Sequence, residues 1–440
     1  MYKLCLLGFF YLSTIPQVLL LLLFICLDLI PNTYYLKQTA NNPENRAIRS
    51  GSCCTPDTPE PGRGRTMKFL IKQSVLVDLI QTVSKAVAVR TTKQILTGIL
   101  LNLSEEQLTA TAYDLELGIQ DTVYKSEENG LTVEQPGNIV LPARYFSEVI
   151  RKLPDQEVSI QVNNNYMTEI RSGQAQFHLH GIDAAEYPKL PVFHESRSIE
   201  MPSDLIKEMI RSTAFAASSS EVRPILTGLY FTLNQESLTL TATDGLRLAT
   251  KTAPVEKTPE QLFSAILPAK SLVELSKLLP DDARPVVMQF TDSHSLFAID
   301  STLFYTRLIE GSYPDTSRIV PTTHKTEVEI PAELLSGALD RAALIARERE
   351  NHMVRLQIQG DELTVSSSSP EIGNVSEKAY ANGKTGDDLL IAFNAKYVLE
   401  ALRACSGDIT ILFNGANQPF IIREKDHEDG LQLISPVLMR

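Results

Sequence analysis

Two aspartates recur in the same setting: Asp114 ends LTATAYD (Leu108–Asp114) and Asp244 ends LTLTATD (Leu238–Asp244). Paired carboxylates could serve as general acid and base. Here each follows an alternating run and precedes a turn, where an Asp side chain bonds its own backbone two residues on. They are read as turn residues. The chain has no Gly-rich phosphate loop, no HExxH and no CxxC, so no catalytic residue and no cofactor is expected. Four of its five cysteines fall within residues 1–66, leaving Cys405 alone in the remainder. That excludes a disulfide framework or thiolate metal site there and suits a reducing cytoplasm.

The elements that hold these turns are written more than once. ILTGILLNLSEEQLTATAYD (Ile95–Asp114) aligns without a gap with ILTGLYFTLNQESLTLTATD (Ile225–Asp244), and VRLQIQGDELTVSSSS (Val354–Ser369) is a fainter third copy. A second element, strand end into helix, recurs as IVLPARYFSEVIRKLP at Ile139, AILPAKSLVELSKLLP at Ala265 and IAFNAKYVLEALRACS at Ile391. Each unit also opens on an amphipathic helix, with Leu76, Leu79, Ile80 and Val83 marking the first. The fold class is therefore α+β: three repeats, each with two helices on antiparallel sheet. Helices are expected over 74–89, 142–153, 202–217, 268–279, 331–347 and 394–405, with the prolines in first turns, where a missing N–H costs nothing.

Residues 1–66 stand apart. The run from Leu4 to Ile30 is long enough to span a bilayer, which would give a membrane-anchored cytoplasmic adaptor. The alternative is that the extension is no part of the folded protein, because an aperiodic Pro/Gly/Asn-rich stretch ends at Met67, where a strand-then-helix pattern begins. The expected units are 67–194, 195–322 and 323–440.

The formal charge is −12, which argues against nucleic-acid binding if charge is spread evenly. It is not. The six helices carry 12 Lys/Arg against 8 Asp/Glu, a net of +4. Two readings stand: helices simply favour Lys and Arg, or they form one basic surface facing a polyanion, with acidic sheets outside.

From MKFLIKQ at Met67 onward, about 85% of the chain closely resembles the bacterial DNA polymerase III beta subunit, the sliding clamp family, most like its low-GC Gram-positive forms. RTTKQILTG, EVRPILTG, TATDGLRLA, GSYPDTSRIVP, RAALIARERE, SSSPEIGNVSE and LISPVLMR carry the likeness. It implies a non-enzymatic, head-to-tail homodimeric ring, helices lining the hole, holding duplex DNA through backbone contacts. Its partners would be the polymerase alpha subunit, the clamp loader and other proteins bearing a clamp-binding motif. Carried over by position, a partner-peptide pocket would use Leu226, Thr243, Gly245, Leu246, Arg247, Leu248, Pro314, Arg318 and Ile319, with Leu433, Ile434, Pro436 and Val437 from the tail. Gly245, Leu246 and Arg247 are expected at the pocket rim, with Arg247 read as exposed; Leu246 replaces the His of many clamps, and the tail VLMR is unusual. Arg90, Arg223 and Lys270 match DNA-approaching positions. Phe177 and Leu179 in AQFHLHG match the strand that pairs across the protomer boundary, with Leu344 and Ile345 on the helix side. His178 and His180 then share the opposite strand face, which makes a metal site there unattractive.

Overall fold

The computed structural model describes residues 66–154, 156–193, 197–255, 263–346 and 352–439. The extension, including Leu4–Ile30, lies outside them apart from Thr66, as do Arg347 and residues 194–196 at the first expected unit boundary. No helix among the described residues is long and apolar enough to cross a membrane.

Six α-helices are present among the described residues: α1 (Gln73–Val83), α2 (Ala143–Arg151), α3 (Ser203–Thr213), α4 (Ala269–Ser276), α5 (Ala332–Ala346) and α6 (Ala395–Arg403). Several stop short of the expected ends. The chain tightens into 3-10 turns at Ser84–Ala86 and Ala214–Ala216 before turning extended at Val87 and Ala217. The Ser84 hydroxyl also bonds back to the Ile80 carbonyl at 2.6 Å, a side-chain competition that weakens helix continuation. The prolines sit one residue earlier than expected. Pro142, Pro202 and Pro268 are N-caps, ending the strand that feeds each helix. Asn394 takes that place before α6, and its side chain accepts the Lys396 N–H at 2.9 Å.

The helices bury one stripe against the sheets. α1 contributes Leu76, Leu79, Ile80 and Val83, as the periodicity predicts. One core runs through the first two units and a second fills the third. Phe215, after α3, packs on both.

Two sheets cross the seams between units. An eight-stranded sheet joins Leu117–Tyr124 of the first unit to Thr302–Arg307 of the second, with Leu117 opposite Thr306. A nine-stranded sheet joins Arg247–Pro254 of the second to Gly430–Ile434 of the third, with Arg247 opposite Ile434. These strands are repeat equivalents, so both seams have one register. The remaining copies, Gly373–Tyr380 in the third unit and Ala175–His180 in the first, lie at the edges of four- and five-stranded sheets, each paired on one side only.

Candidate functional site

The turn after Asp244 is built by its own side chains. Asp244 Oδ1 accepts the N–H of Leu246 at 2.9 Å and of Arg247 at 3.1 Å. The Thr243 hydroxyl accepts the Gly245 N–H at 3.1 Å and donates to the Arg247 carbonyl at 2.5 Å. Gly245 has φ +93°, a region that disfavours side chains. The Asp114 turn is wired alike, with Glu116 and Leu117 N–H on Oδ1 at 2.9 and 2.7 Å. Both aspartates are turn residues, as read from the sequence.

The turn pushes Leu246 outward, 55% exposed, between two apolar clusters. One comprises Leu226, Ile266 and Tyr313. The Tyr313 hydroxyl accepts the Thr243 N–H at 3.0 Å, its ring stacks on Tyr230 at 5.0 Å, and burial pushes its pKa up to about 12. The other comprises Leu248, Ile421 and Leu433, with Val320 against it. The tail is tied in by Ser435 N–H to the Leu246 carbonyl at 2.9 Å and Val437 N–H to the Ala392 carbonyl at 2.7 Å. Pro314, Arg318 and Ile319 are exposed beside it, and Pro436 and Val437 are half-buried. Ile434 differs: it belongs to the core of the third unit, because its strand alternation turns it away from Leu433.

Arg247 also departs from the expectation of an exposed rim residue. It is buried, pairing with Asp244 at 3.0 Å and with Glu400 of α6. Its guanidinium lies 4.4 Å from the Tyr397 ring centre and 5.6 Å from that of Phe215. A fork-shaped cation can satisfy two carboxylates and stack at once. Here it bolts the second unit to the third. Tyr397 and Glu400 were missed because they lie about 150 residues away with no local signal. Tyr313 had one: the Tyr-Pro pair of GSYPD repeats that of AEYPK at Tyr187.

A cleft of about 380 Å³ lies next to the second cluster, lined mainly by Val320–His324, Leu412, Ile421, Arg423 and Leu431. None of the pocket residues named from the sequence lines it. The turn-centred surface is the better candidate because it carries the exposed apolar side chains Leu246, Ile319 and Leu438.

Arg90, Arg223 and Lys270 are all exposed. Arg223 caps a 3-10 turn at Pro224–Thr227, and its carbonyl accepts the Leu226 N–H at 3.0 Å. Its counterpart is Lys93, whose carbonyl accepts the Leu96 N–H at 3.0 Å, so Arg90 is not its repeat equivalent. The helical charge surplus sits on the second helix of each unit. The expected helices 142–153, 268–279 and 394–405 hold seven basic residues (Arg144, Arg151, Lys152, Lys270, Lys277, Lys396, Arg403) against Glu148, Glu274 and Glu400. Phe177, 39% exposed, lies on an edge strand and Leu344, 58% exposed, lies on α5; Leu179 and Ile345 beside them are half-buried.

Models of the DNA polymerase III beta subunit match the chain in order, the N-terminal domain at 67–191, the central domain at 200–315 and the C-terminal domain at 317–438. The chain belongs to the DNA polymerase III beta subunit family. The beta sliding clamp of Bacillus subtilis is 44% identical over 375 residues, 84% of this chain and 99% of that protein. That of Halalkalibacterium halodurans is 40% identical over 377 residues, 84% and 99%. Among solved structures, the Bacillus subtilis DNA polymerase sliding clamp has a TM-score of 0.82 at 43% identity, covering 85% of this chain and all of that one. The Streptococcus pneumoniae beta chain has 0.82 at 33%, with the same coverage. The three repeats are thus the three domains of a beta sliding clamp. Nothing in these likenesses supports a membrane-anchored adaptor.

Proposed function

We propose that the chain acts as a non-catalytic processivity clamp: two copies close head to tail around duplex DNA and tether the replicative polymerase through the Leu246 turn. The observation that carries this is the unequal use of three equivalent seams. Two are made inside the chain, and the third set of strands, 175–180 and 373–380, is left at two edges. A closed ring of six units satisfies every seam with two protomers.

Packed counterparts at the internal seams support the same reading. Phe304, at the place of Phe177, is fully buried at the first seam. Phe215, at the place of Leu344, crosses the second to reach the third unit's core. Phe177 with Leu179 and Leu344 with Ile345 would bury each other in the same way at the protomer seam, by strand addition. The units run 67–194, 195–322 and 323–440. The second helices, with Arg90, Arg223 and Lys270, would face the phosphates, contacts that carry no sequence information and so permit sliding. At the pocket, Leu246, Pro314, Arg318, Ile319, Pro436 and Val437 would meet the partner peptide, with Leu226, Thr243, Gly245, Leu248 and Leu433 behind them. Arg247 and Ile434 would serve from within the protein. A clamp loader, other motif-bearing partners and a cytoplasmic location follow from this role. The test is retention: the protein, once loaded, should stay on circular duplex and run off linear duplex. Equal loss from both at moderate salt would refute topological binding.

A further inference from the structure

One strand position compares the three seams directly. Asp121, Lys251 and Glu377 are repeat equivalents. At the first seam Asp121 accepts from the Ser301 and Thr302 hydroxyls at 2.8 and 3.1 Å. At the second, Lys251 is held by Glu208 of its own α3 and by Asp429 across the seam, both at 2.8 Å. That is an acid–base–acid triad with one member from the opposing unit. At the third position Glu377 takes both Nε and the NH2 nitrogen of Arg341, on α5 of its own unit, at 2.8 and 2.5 Å. The charges are reversed, and both members of this pair lie in the same unit.

What would face Glu377 follows from the shared register. Leu117 opposite Thr306 and Arg247 opposite Ile434 correspond to Gly373 opposite Leu179. Continuing along the strands puts Asn374 opposite His178, Val375 opposite Phe177 and Glu377 opposite Ala175. The residue before Ala175, at the place of Ser301 and Asp429, is Gln174, which is exposed and uncharged.

We infer that Gln174 limits the strength of the protomer seam: the polar tie there closes within a single domain, Arg341 to Glu377, and the opposing turn offers Gln174 in place of a charge. This rests on the homodimeric reading above and adds the register and a residue that sets the seam's strength. Each of the two internal seams carries a cross-seam tie at this position.

The test is Gln174→Lys in the full chain, which would complete the reversed triad. An exposed ion pair contributes little, so exchange between labelled and unlabelled protomers should slow by about two- to fivefold. The gain should vanish in Gln174→Lys/Glu377→Gln. Unchanged exchange, or a gain that survives loss of Glu377, would overturn the inference. Register is read separately by oxidising Asn374→Cys/His178→Cys and mapping the disulfide peptides. Opposed residues meet disulfide geometry and diagonal ones do not, so the offset pair Asn374→Cys/Gln176→Cys should stay reduced. Cross-linking of the offset pair alone overturns the register while leaving the dimer standing. A chain that sediments as a monomer and cross-links in neither variant overturns the dimer and the inference together.

Discussion

Replacing Arg247 by alanine should loosen the second seam by about 3 kcal/mol. Two charge-assisted hydrogen bonds are lost, each contributing about 1.5–3 kcal/mol, together with two cation–ring contacts of roughly 0.5–1 kcal/mol where exposed and about 2 where desolvated. The gross loss exceeds the net because the side chains of Asp244 and Glu400 keep 15% and 23% exposure, so water can reach them once the cation has gone. A net loss of about 3 kcal/mol corresponds to roughly a hundredfold in the opening equilibrium. Native-state hydrogen exchange reads it at the amides of residues 247–251 and 430–434, which face one another across the seam. Their protection should fall about a hundredfold, and strands away from the seam should keep theirs. Arg247→Lys keeps the charge but loses the fork, and about half of the protection should be retained. A change of threefold or less in Arg247→Ala would mean that Arg247 is a surface residue reserved for partner peptides and that the bolt is inert.

Three further outcomes follow from particular contacts. Deleting Pro436–Arg440 removes the Val437 tie to Ala392 but none of the seam strands, so sedimentation should still report the same assembly while polymerase-peptide affinity falls severalfold; unchanged affinity would refute the tail assignment. Leu344→Asp puts a charge at the place of Phe215, which packs half-buried on both cores at the second seam, and should weaken the dimer at least about tenfold by the loss of one leucine buried between protomers; an unaltered dimer constant by sedimentation would count against the seam. Burial, then the Glu424 charge, pushes the Cys405 thiol up to about 12 against an opposing pull from Lys251. Since the thiolate is the reacting form, alkylation of Cys405 at pH 8, followed by peptide mapping, should run about a thousandfold slower than after denaturation. Equal rates would refute the burial.

The repeats and helix faces were legible because they are local, periodic patterns: Leu76, Leu79, Ile80 and Val83 point one way whatever they pack against. The Asp114 and Asp244 turns were legible because an Asx turn is written within four residues. Helix ends were less so, since Ser84 and the proline N-caps depend on how strand and helix meet. Arg247 was misread as exposed. Its burial is decided by Tyr397 and Glu400 on another unit, and no window around TDGLRLA contains them. Arg90 came from likeness to family positions alone; the ungapped repeat pairs Arg223 with Lys93 instead, and the matching backbone hydrogen bonds agree.

Divergence between equivalent positions separates structure from function most sharply at the grooves beside the two internal seams. Beside the first, Tyr113 and Tyr187 pack with Val140, and Phe193 lies 6.0 Å from the ring of Tyr305. Leu190 stands so close to Gly118 that a Cβ there would meet it at 2.8 Å. The linker between the units fills its own groove with large apolar side chains. Beside the second, Thr243 replaces Tyr113, Leu248 replaces Gly118 and Leu433 replaces Tyr305. The linker residue at the Leu190 position is Thr316, and Ile319, at the Phe193 position, stays 49% exposed. Tyr113, Tyr305 and Phe193 have no aromatic counterpart here, only Tyr313 remaining at the place of Tyr187, while Leu246 and Ile319 remain in water. Exposed apolar side chains gathered around a rigid turn mark a surface kept for a partner. The duplicated strand is a common strut, and the second copy differs from the first in just those residues that would otherwise fill the space.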